Sequence, residues 1–209
     1  MAGAWIAPEG GQEIWTNVAG ERDELSFFET SAYWEIPLDD DTSFVAAPWL
    51  EQNYDTYDGW RGETTLGAKR ALFRGDHMAM AVQAAALWVS HPEEGCSEGG
   101  AELRWLGGSS LPDLGAFVNV EAATRALEGG CGGERLDLTA GYRPNERWLA
   151  MGQVFLDAPR DGEESVKAQF TLVRFGDGGR GLQIGVRARV DGEDHEPALV
   201  LGLWGRPGR

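Results

Sequence analysis

A two-residue alternation of apolar and polar side chains is the feature that most constrains this chain. In the stretch GLQIGVRARV, residues 181–190, every second side chain is apolar, while Arg187 and Arg189 lie on the opposite face. This period is typical of a β-strand with two different faces. The same alternation recurs along most of the sequence, which predicts an all-β fold. The apolar face of the two clearest strands carries Phe170, Leu172, Leu182, Ile184 and Val186.

Strand-like segments recur along the chain, separated by short clusters of turn-forming residues. They lie between residues 12 and 205, after a short N-terminal lead-in of residues 1–11, and predict a single domain spanning 1–209. About twelve strands are expected, an even number, as in single-chain bacterial membrane barrels. The predicted strands are 12–19, 25–37, 42–53, 60–73, 77–90, 101–108, 116–127, 135–142, 147–157, 166–175, 181–190 and 197–205.

The connections between these strands alternate in character. LDDD, RGD, RPNE and GDGG are tight, whereas most of the others, such as HPEEGCSEGG and APRDGEES, are longer and acidic. In an up-and-down meander, alternate connections fall at opposite ends. We therefore predict a closed antiparallel up-and-down β-barrel with one short-turn end and one long-loop end, the asymmetry known from outer-membrane barrels.

Alternation by itself allows two placements of the apolar face, toward a soluble core or toward lipid. Two features favour lipid. The interior of a soluble barrel of about twelve strands is too wide for side chains to fill easily, and aromatic residues recur near strand ends, as in interfacial girdles. The predicted girdle residues are Trp15, Tyr54, Trp60, Trp88, Tyr142, Trp148 and Trp204.

The polar faces supply candidates for the lumen or a constriction. Acids come mainly from early strands and bases from late ones, so a closed barrel opposes them across a transverse field that can orient a solute. Neighbouring opposite charges are also expected to pair, as Glu102 with Arg104, Glu121 with Arg125 and Arg135 with Asp137. The alternative is a purely structural ion network that plugs the barrel. The candidates are Glu29, Glu35, Glu63, Glu102, Arg104, Glu121, Arg125, Arg135, Asp137, Lys167, Arg187 and Arg189.

Composition excludes several classes of function. The formal net charge is −16, and no basic cluster suited to nucleic acid is present, so no nucleic-acid partner is expected. No segment reaches the ~18 consecutive apolar residues of a membrane helix. The first residues lack the regions of a signal peptide, which leaves a cytosolic protein or a secreted one whose signal has been removed.

The two cysteines fall in connections of the same parity. Cys96 follows the fifth predicted strand and Cys131 the seventh, so both belong to the long-loop end. They can therefore meet, and a disulfide there fits an oxidising compartment. The alternative is two unrelated thiols in glycine-rich loops.

Catalytic and metal-binding patterns are weak. Ser90 and His91 are adjacent, but neighbouring strand residues point to opposite faces, and a hydrolase needs its serine and histidine within hydrogen-bond reach. The acidic run Asp39 to Asp41 is more typical of a solvated turn than of a calcium site. We predict no cofactor, no metal site and no enzymatic activity.

The opening GAWIAPEGGQ, residues 3–12, resembles the mature start of small outer-membrane β-barrel proteins of proteobacteria. In that group Gly-Ala-Trp, Pro-Glu-Gly and Gly-Gln lead directly into the first strand, and its members are described as transporters. The resemblance implies secretion across the inner membrane and a barrel that runs through residue 205. It implies no particular functional residue.

The sequence thus predicts a monomeric bacterial outer-membrane barrel in contact with membrane lipid, acting as a passive channel or transporter for small polar or charged solutes. Two alternatives stay open at this point. One is a soluble β-barrel or sandwich that binds a ligand such as a carbohydrate on exposed tryptophans, and the other is an outer-membrane lipid hydrolase.

Overall fold

The structure, a computed structural model, describes most of the chain. The described residues are 3–22, 25–53, 59–90, 97–129, 131–160, 162–192 and 196–206. No helix among them is long and apolar enough to cross a membrane.

Twelve antiparallel strands form one closed barrel, in which each strand pairs with its neighbours in sequence and β1 pairs with β12. This confirms the predicted fold class and strand number. The strands are β1 (Gln12–Arg22), β2 (Leu25–Pro37), β3 (Thr42–Asn53), β4 (Trp60–Arg74), β5 (Met78–Val89), β6 (Gly99–Leu111), β7 (Ala116–Leu127), β8 (Gly132–Asn145), β9 (Trp148–Pro159), β10 (Ser165–Phe175), β11 (Gly181–Arg189) and β12 (Ala198–Gly205).

Several strands continue past their predicted ends. β1 extends to Arg22 and β8 begins at Gly132, because main-chain pairing with the neighbouring strands persists where side-chain alternation stops. The segment GERDE, residues 20–24, lies between the predicted strands 12–19 and 25–37 and is expected as one of the longer connections, but it is mostly strand, and only residues 23–24 separate β1 from β2. For that one connection the predicted loop length is wrong.

The connections sort to two ends of the barrel. The short-turn end holds the start of β1, the end of β12 and the connections 38–41, 75–77, 112–115, 146–147 and 176–180. The long-loop end holds the connections 23–24, 54–59, 90–98, 128–131, 160–164 and 190–197.

The outer face of the barrel is apolar. The five residues predicted to form the apolar face of β10 and β11 all point outward, with exposed fractions between 38% and 64%. Large apolar side chains are exposed in the same way on the other strands, among them Leu66, Val118 and Leu201. Among the described residues, no side chains cover this apolar surface.

Exposed aromatic residues flank this apolar surface. Trp60 and Trp88 lie near the long-loop end, while Trp15, Tyr142 and Trp148 lie near the short-turn end. Tyr54 lies outside the described residues.

The predicted girdle position of Trp204 is wrong. Alternation along β12 puts it on the inward face, two residues from buried Gly202, and its indole N–H donates to Gln183 Oε1 at 2.6 Å. There it packs against the buried cluster of Leu149, Met151 and Val173 inside the barrel.

We expect the outer face to tolerate no charge. Ile184→Arg should lower the free energy of unfolding by about 2–4 kcal/mol, since an arginine on a lipid-facing strand loses its hydration. Urea unfolding in phosphatidylcholine vesicles measures this. The matched control is Leu114→Arg in an exposed turn at the short-turn end, which should change little. Equal effects of the two substitutions would contradict a hydrocarbon-facing surface.

Candidate functional site

The lumen contains a charged cavity at the long-loop end, called the vestibule below. Its volume is about 600 Å³, and residues of β2 through β11 line it. Its charged lining comprises six basic and four acidic side chains, although the whole chain carries a net charge of −16. They are Arg61, Arg104, Arg125, Arg135, Lys167 and Arg187, with Glu29, Glu63, Asp137 and Asp157.

Glu63 ties together strands that are not neighbours in the barrel. From β4 it accepts a hydrogen bond from Arg125 of β7 at 2.6 Å and from Arg135 of β8 at 3.2 Å. Arg125 also donates to Glu102 at 2.8 Å, its register partner on β6. The pairs of Glu63 therefore span the lumen between β4 and the strands β7 and β8, whereas Arg125 and Glu102 lie on adjacent strands.

Arg104 of β6 belongs to the same network of ion pairs. It donates to Glu102 at 3.1 Å, to Glu121 at 2.9 Å and to Asp137 at 3.5 Å. Register pairing places Glu121 directly opposite Asp137, and two carboxylates so close repel each other without a shared cation. The guanidinium of Arg104 neutralises that contact.

One predicted pair forms and two do not. Glu102 pairs with Arg104 as expected. Glu121 and Arg125 stand four residues apart on one strand, roughly 13 Å, too far for contact. Arg135 binds its register partner Asp157 at 3.2 Å in place of Asp137. A pair two residues apart on one strand forms in one case, whereas Arg135 pairs across to the neighbouring strand.

The late-strand cations differ in their partners. Arg187 donates to Glu29 across the seam between β1 and β12. Lys167 lines the vestibule, and no carboxylate of the described residues lies within 4.0 Å of its Nζ. Lys167 is thus a cation available to an anionic group of a solute.

Arg189 lies at the rim of the long-loop end and not in a constriction. It donates to Asp191 at 3.1 Å and lies 3.7 Å from Glu196, both in the connection after β11. The hydrogen bond from Arg189 holds the pKa of the Asp191 carboxyl below its ordinary value.

Below the vestibule, polar side chains fill the middle of the barrel. They point inward and are less than 9% exposed, and Gln169 donates to Gln153 at 2.9 Å. The side chains of this layer are Gln83, Asn119, Thr139, Gln153, Gln169, Thr171 and Gln183.

The N-terminal segment, residues 3–11, enters the lumen from the short-turn end. Lys69 Nζ of β4 donates to the carbonyl oxygens of Gly3 at 3.2 Å and Trp5 at 2.9 Å. It also donates to Glu35 Oε2 at 2.6 Å, and the Ala7 N–H donates to Glu35 Oε1 at 2.9 Å. Lys69 is 0% exposed and Glu35 is 1% exposed, so this buried pair clamps the segment.

A glycine makes room for the ring of Trp5. A Cβ on Gly108 of β6 would lie 2.3 Å from the Trp5 ring. Trp5 also packs against the buried cluster of Ala4, Ala79, Ala81 and Leu106. The N-terminal segment is therefore held both by packing of the Trp5 ring and by hydrogen bonds to Lys69 and Glu35.

Glu35 does not face the late-strand cations as predicted. Its partners are Lys69, the Tyr33 hydroxyl at 2.7 Å and the Ser43 hydroxyl at 2.8 Å. The sequence analysis missed Lys69, although it shares the inward parity of Glu63 on the same strand. Counting in steps of two from Glu63 would have found it.

Cys131 is buried and lines the vestibule, whereas Cys96 lies outside the described residues, so their pairing stays a prediction. The Ser90 hydroxyl is bound to the backbone of Gly62, accepting from its N–H and donating to its carbonyl. His91 lies outside the described residues.

Comparison with known proteins establishes the fold. No protein-family model matches the sequence, and no curated protein sequence matches it. Among solved structures, the chain is similar to the KdgM porin in complex with disordered oligogalacturonate, at 8% identity over 92% of this chain and 97% of that chain, with a TM-score of 0.67.

Two further structures are similar. An outer membrane channel from Pseudomonas putida F1 matches at 10% identity over 96% of this chain and 97% of that chain, with a TM-score of 0.67. Outer membrane phospholipase A from Escherichia coli matches at 10% identity over 93% and 88%, with a TM-score of 0.54. The chain therefore shares the barrel fold of outer-membrane proteins.

Loss of the buried clamp should cost stability. Lys69→Met leaves Glu35 uncompensated, so the free energy of unfolding should fall by about 3–5 kcal/mol. Arg74→Gln, on the same strand, removes an exposed ion pair with Asp41 and should cost less than about 1 kcal/mol. Urea titration measures both. The double variant Glu35→Gln/Lys69→Met should recover part of the loss, and no recovery would contradict a direct pair.

Proposed function

We propose that this protein is a bacterial outer-membrane channel for small polar or charged solutes, which enter through the vestibule. The observation that carries the proposal is the charged cavity of about 600 Å³ enclosed by a barrel whose outer face is apolar. In a soluble barrel, apolar side chains exposed all around the outer face would contact water, which is unfavourable. A membrane barrel needs them to meet hydrocarbon, with a polar interior.

Several features support the membrane placement and its orientation. Exposed aromatic residues flank the apolar surface at both ends, as at membrane interfaces. Short turns at one end and longer loops at the other match periplasmic and external ends. The resemblance of residues 3–12 to the mature start of proteobacterial barrel proteins agrees with secretion. The closed wall leaves no edge strand to pair with another copy, so we propose a monomer surrounded by lipid.

Lys167 favours anions in the vestibule. Each arginine of the lining is paired with a carboxylate, but Lys167 has no carboxylate within 4.0 Å among the described residues. Charged rings inside a pore select solutes of opposite sign. The KdgM porin, whose structure contains the acidic oligogalacturonate, has a similar barrel. We propose that the solutes are small anions.

The described conformation is closed below the vestibule. The N-terminal segment and the inward polar layer occupy the lower lumen. Passage of a solute therefore requires the segment to leave its seat beside Lys69 and Glu35. The segment acts as a plug, and the clamp sets the free energy of its release.

An enzymatic function has less support. Outer membrane phospholipase A shares the barrel at a TM-score of 0.54, whereas the two neighbours at 0.67 are channels. Ser90, the serine beside a histidine in the sequence, is bound to the backbone of Gly62. Release of fatty acid from phospholipid vesicles by the purified protein would reverse this preference.

Removal of the plug should raise conductance. A variant lacking residues 3–11 should conduct in planar bilayers at least about tenfold more than the full chain, since it vacates the short-turn half of the lumen. Gly108→Leu, which expels the Trp5 ring while keeping the chain intact, should act in the same direction. Arg74→Gln is the control at the same end of the barrel. Unchanged conductance in both plug variants would contradict the proposed channel.

Selectivity should depend on the vestibule cations. In the variant lacking residues 3–11, Lys167→Gln should lower the chloride-to-potassium permeability ratio by about fivefold, because a fixed charge beside the pathway contributes on the order of 1 kcal/mol. Arg70→Gln, an exposed substitution on the outer face of β4, should leave the ratio unchanged. Reversal potentials in asymmetric KCl measure the ratio, and equal ratios in the two variants would contradict a solute path past Lys167.

A further inference from the structure

A groove at the short-turn rim of the barrel combines apolar and basic side chains, and its lining includes outward Leu182 and Leu203 as well as inward Trp204. It lies across β10, β11, β12 and β1 and has a volume of about 700 Å³. Leu182, Leu203 and Trp15 form its apolar wall. Its basic side chains are Arg147, Arg174, Arg180 and Arg206.

The apolar wall follows the register of the strands. Arg174 pairs with Leu182, Leu182 with Leu203 and Leu203 with Trp15, so these four side chains form one outward row across four strands. This row lies at the edge of the apolar outer face, next to the turns of the short-turn end. Arg147 and Arg206 follow immediately beyond it, in a turn and after β12. A molecule lying here has hydrocarbon contacts on one side and guanidinium groups on the other.

The arginines of the groove differ from those of the lumen. Across the described ranges, no carboxylate lies within 4.0 Å of Arg147, Arg174 or Arg206. The groove contains two acids, and one of them, Glu13, already accepts a hydrogen bond from the Trp34 indole at 3.0 Å. In a chain with a net charge of −16, this is a locally basic surface.

Arg174 is held in place by an aromatic neighbour. Its guanidinium lies 5.9 Å from the centroid of the Trp148 ring, and Trp148 is its register partner on β9. Such stacking keeps the planar group oriented and leaves its N–H donors free for a phosphate. Arginine forks bind phosphate oxygens in pairs.

We propose that this groove binds an anionic phospholipid, with the phosphate on Arg147, Arg174 and Arg206 and an acyl chain along Leu182 and Leu203. The proposal rests on the membrane placement proposed above. Basic pockets at a membrane boundary bind anionic headgroups. The apolar row distinguishes a lipid from a free phosphate, because only a lipid has chains to cover it.

Native mass spectrometry of the full chain in an uncharged detergent tests the proposal. Phosphatidylglycerol should bind more tightly than phosphatidylcholine. Arg147→Gln/Arg206→Gln should weaken phosphatidylglycerol binding by about 25-fold, since each arginine beside an anionic lipid contributes roughly fivefold. The matched control is Arg70→Gln/Arg74→Gln, which removes two exposed arginines from β4 at the same end of the barrel and should retain the wild-type affinity.

Three outcomes would overturn the lipid site. The first is equal binding of phosphatidylglycerol and phosphatidylcholine to the wild-type protein. The second is an equal loss of affinity in the two double variants. The third is that glycerol 3-phosphate, which lacks acyl chains, competes as well as phosphatidylglycerol does. A protein that inserts into vesicles and yet gives any of these results refutes the groove alone. A protein that stays monodisperse without detergent refutes the membrane placement itself.

Discussion

Closure of the main-chain ladder between β1 and β12 is the constraint on which the rest of the structure depends. Within hydrocarbon, an unpaired N–H or C=O group costs several kcal/mol, so a membrane sheet must have no edge. Once the ladder closes, every strand has one face inside and one outside, and alternation assigns each residue to one of them. The apolar outer wall and the charged vestibule are two consequences of this one closure.

The interior then has to satisfy its own charges. An ion pair that loses one partner inside a protein leaves an uncompensated charge, and the lumen contains several such groups. Arg104 pairs with three carboxylates. Glu63 pairs with an arginine from a strand that is not its neighbour. Lys69 and Glu35 form a buried ion pair that holds the N-terminal segment. Most of these charges are paired with one another inside the barrel. Lys167 differs, because it faces the vestibule without a carboxylate at contact distance among the described residues.

Much of the site could be predicted by counting in steps of two. The inward placement of Glu29, Glu63 and Lys167 and the outward placement of Ile184 follow from parity alone. The partners of these residues could not be predicted, because register between strands depends on where each ladder begins and ends. Arg135 therefore meets Asp157 and not Asp137. The position of Trp204 near a strand end was not enough to place it in the aromatic girdle. Its side chain lies inside the barrel, because alternation along β12 directs that residue inward.

The sequence by itself determined the architecture of the wall. A period of two, recurring along most of the sequence between turn-forming residues, favours a closed antiparallel barrel, because closure leaves no edge strand. Only the tertiary structure decided what fills that wall. The lead-in of residues 3–11 has no periodicity that reports its position, and its seat beside Lys69 and Glu35 is formed by strands more than twenty residues away. Contacts between segments so distant along the chain arise from closure, which no local pattern encodes.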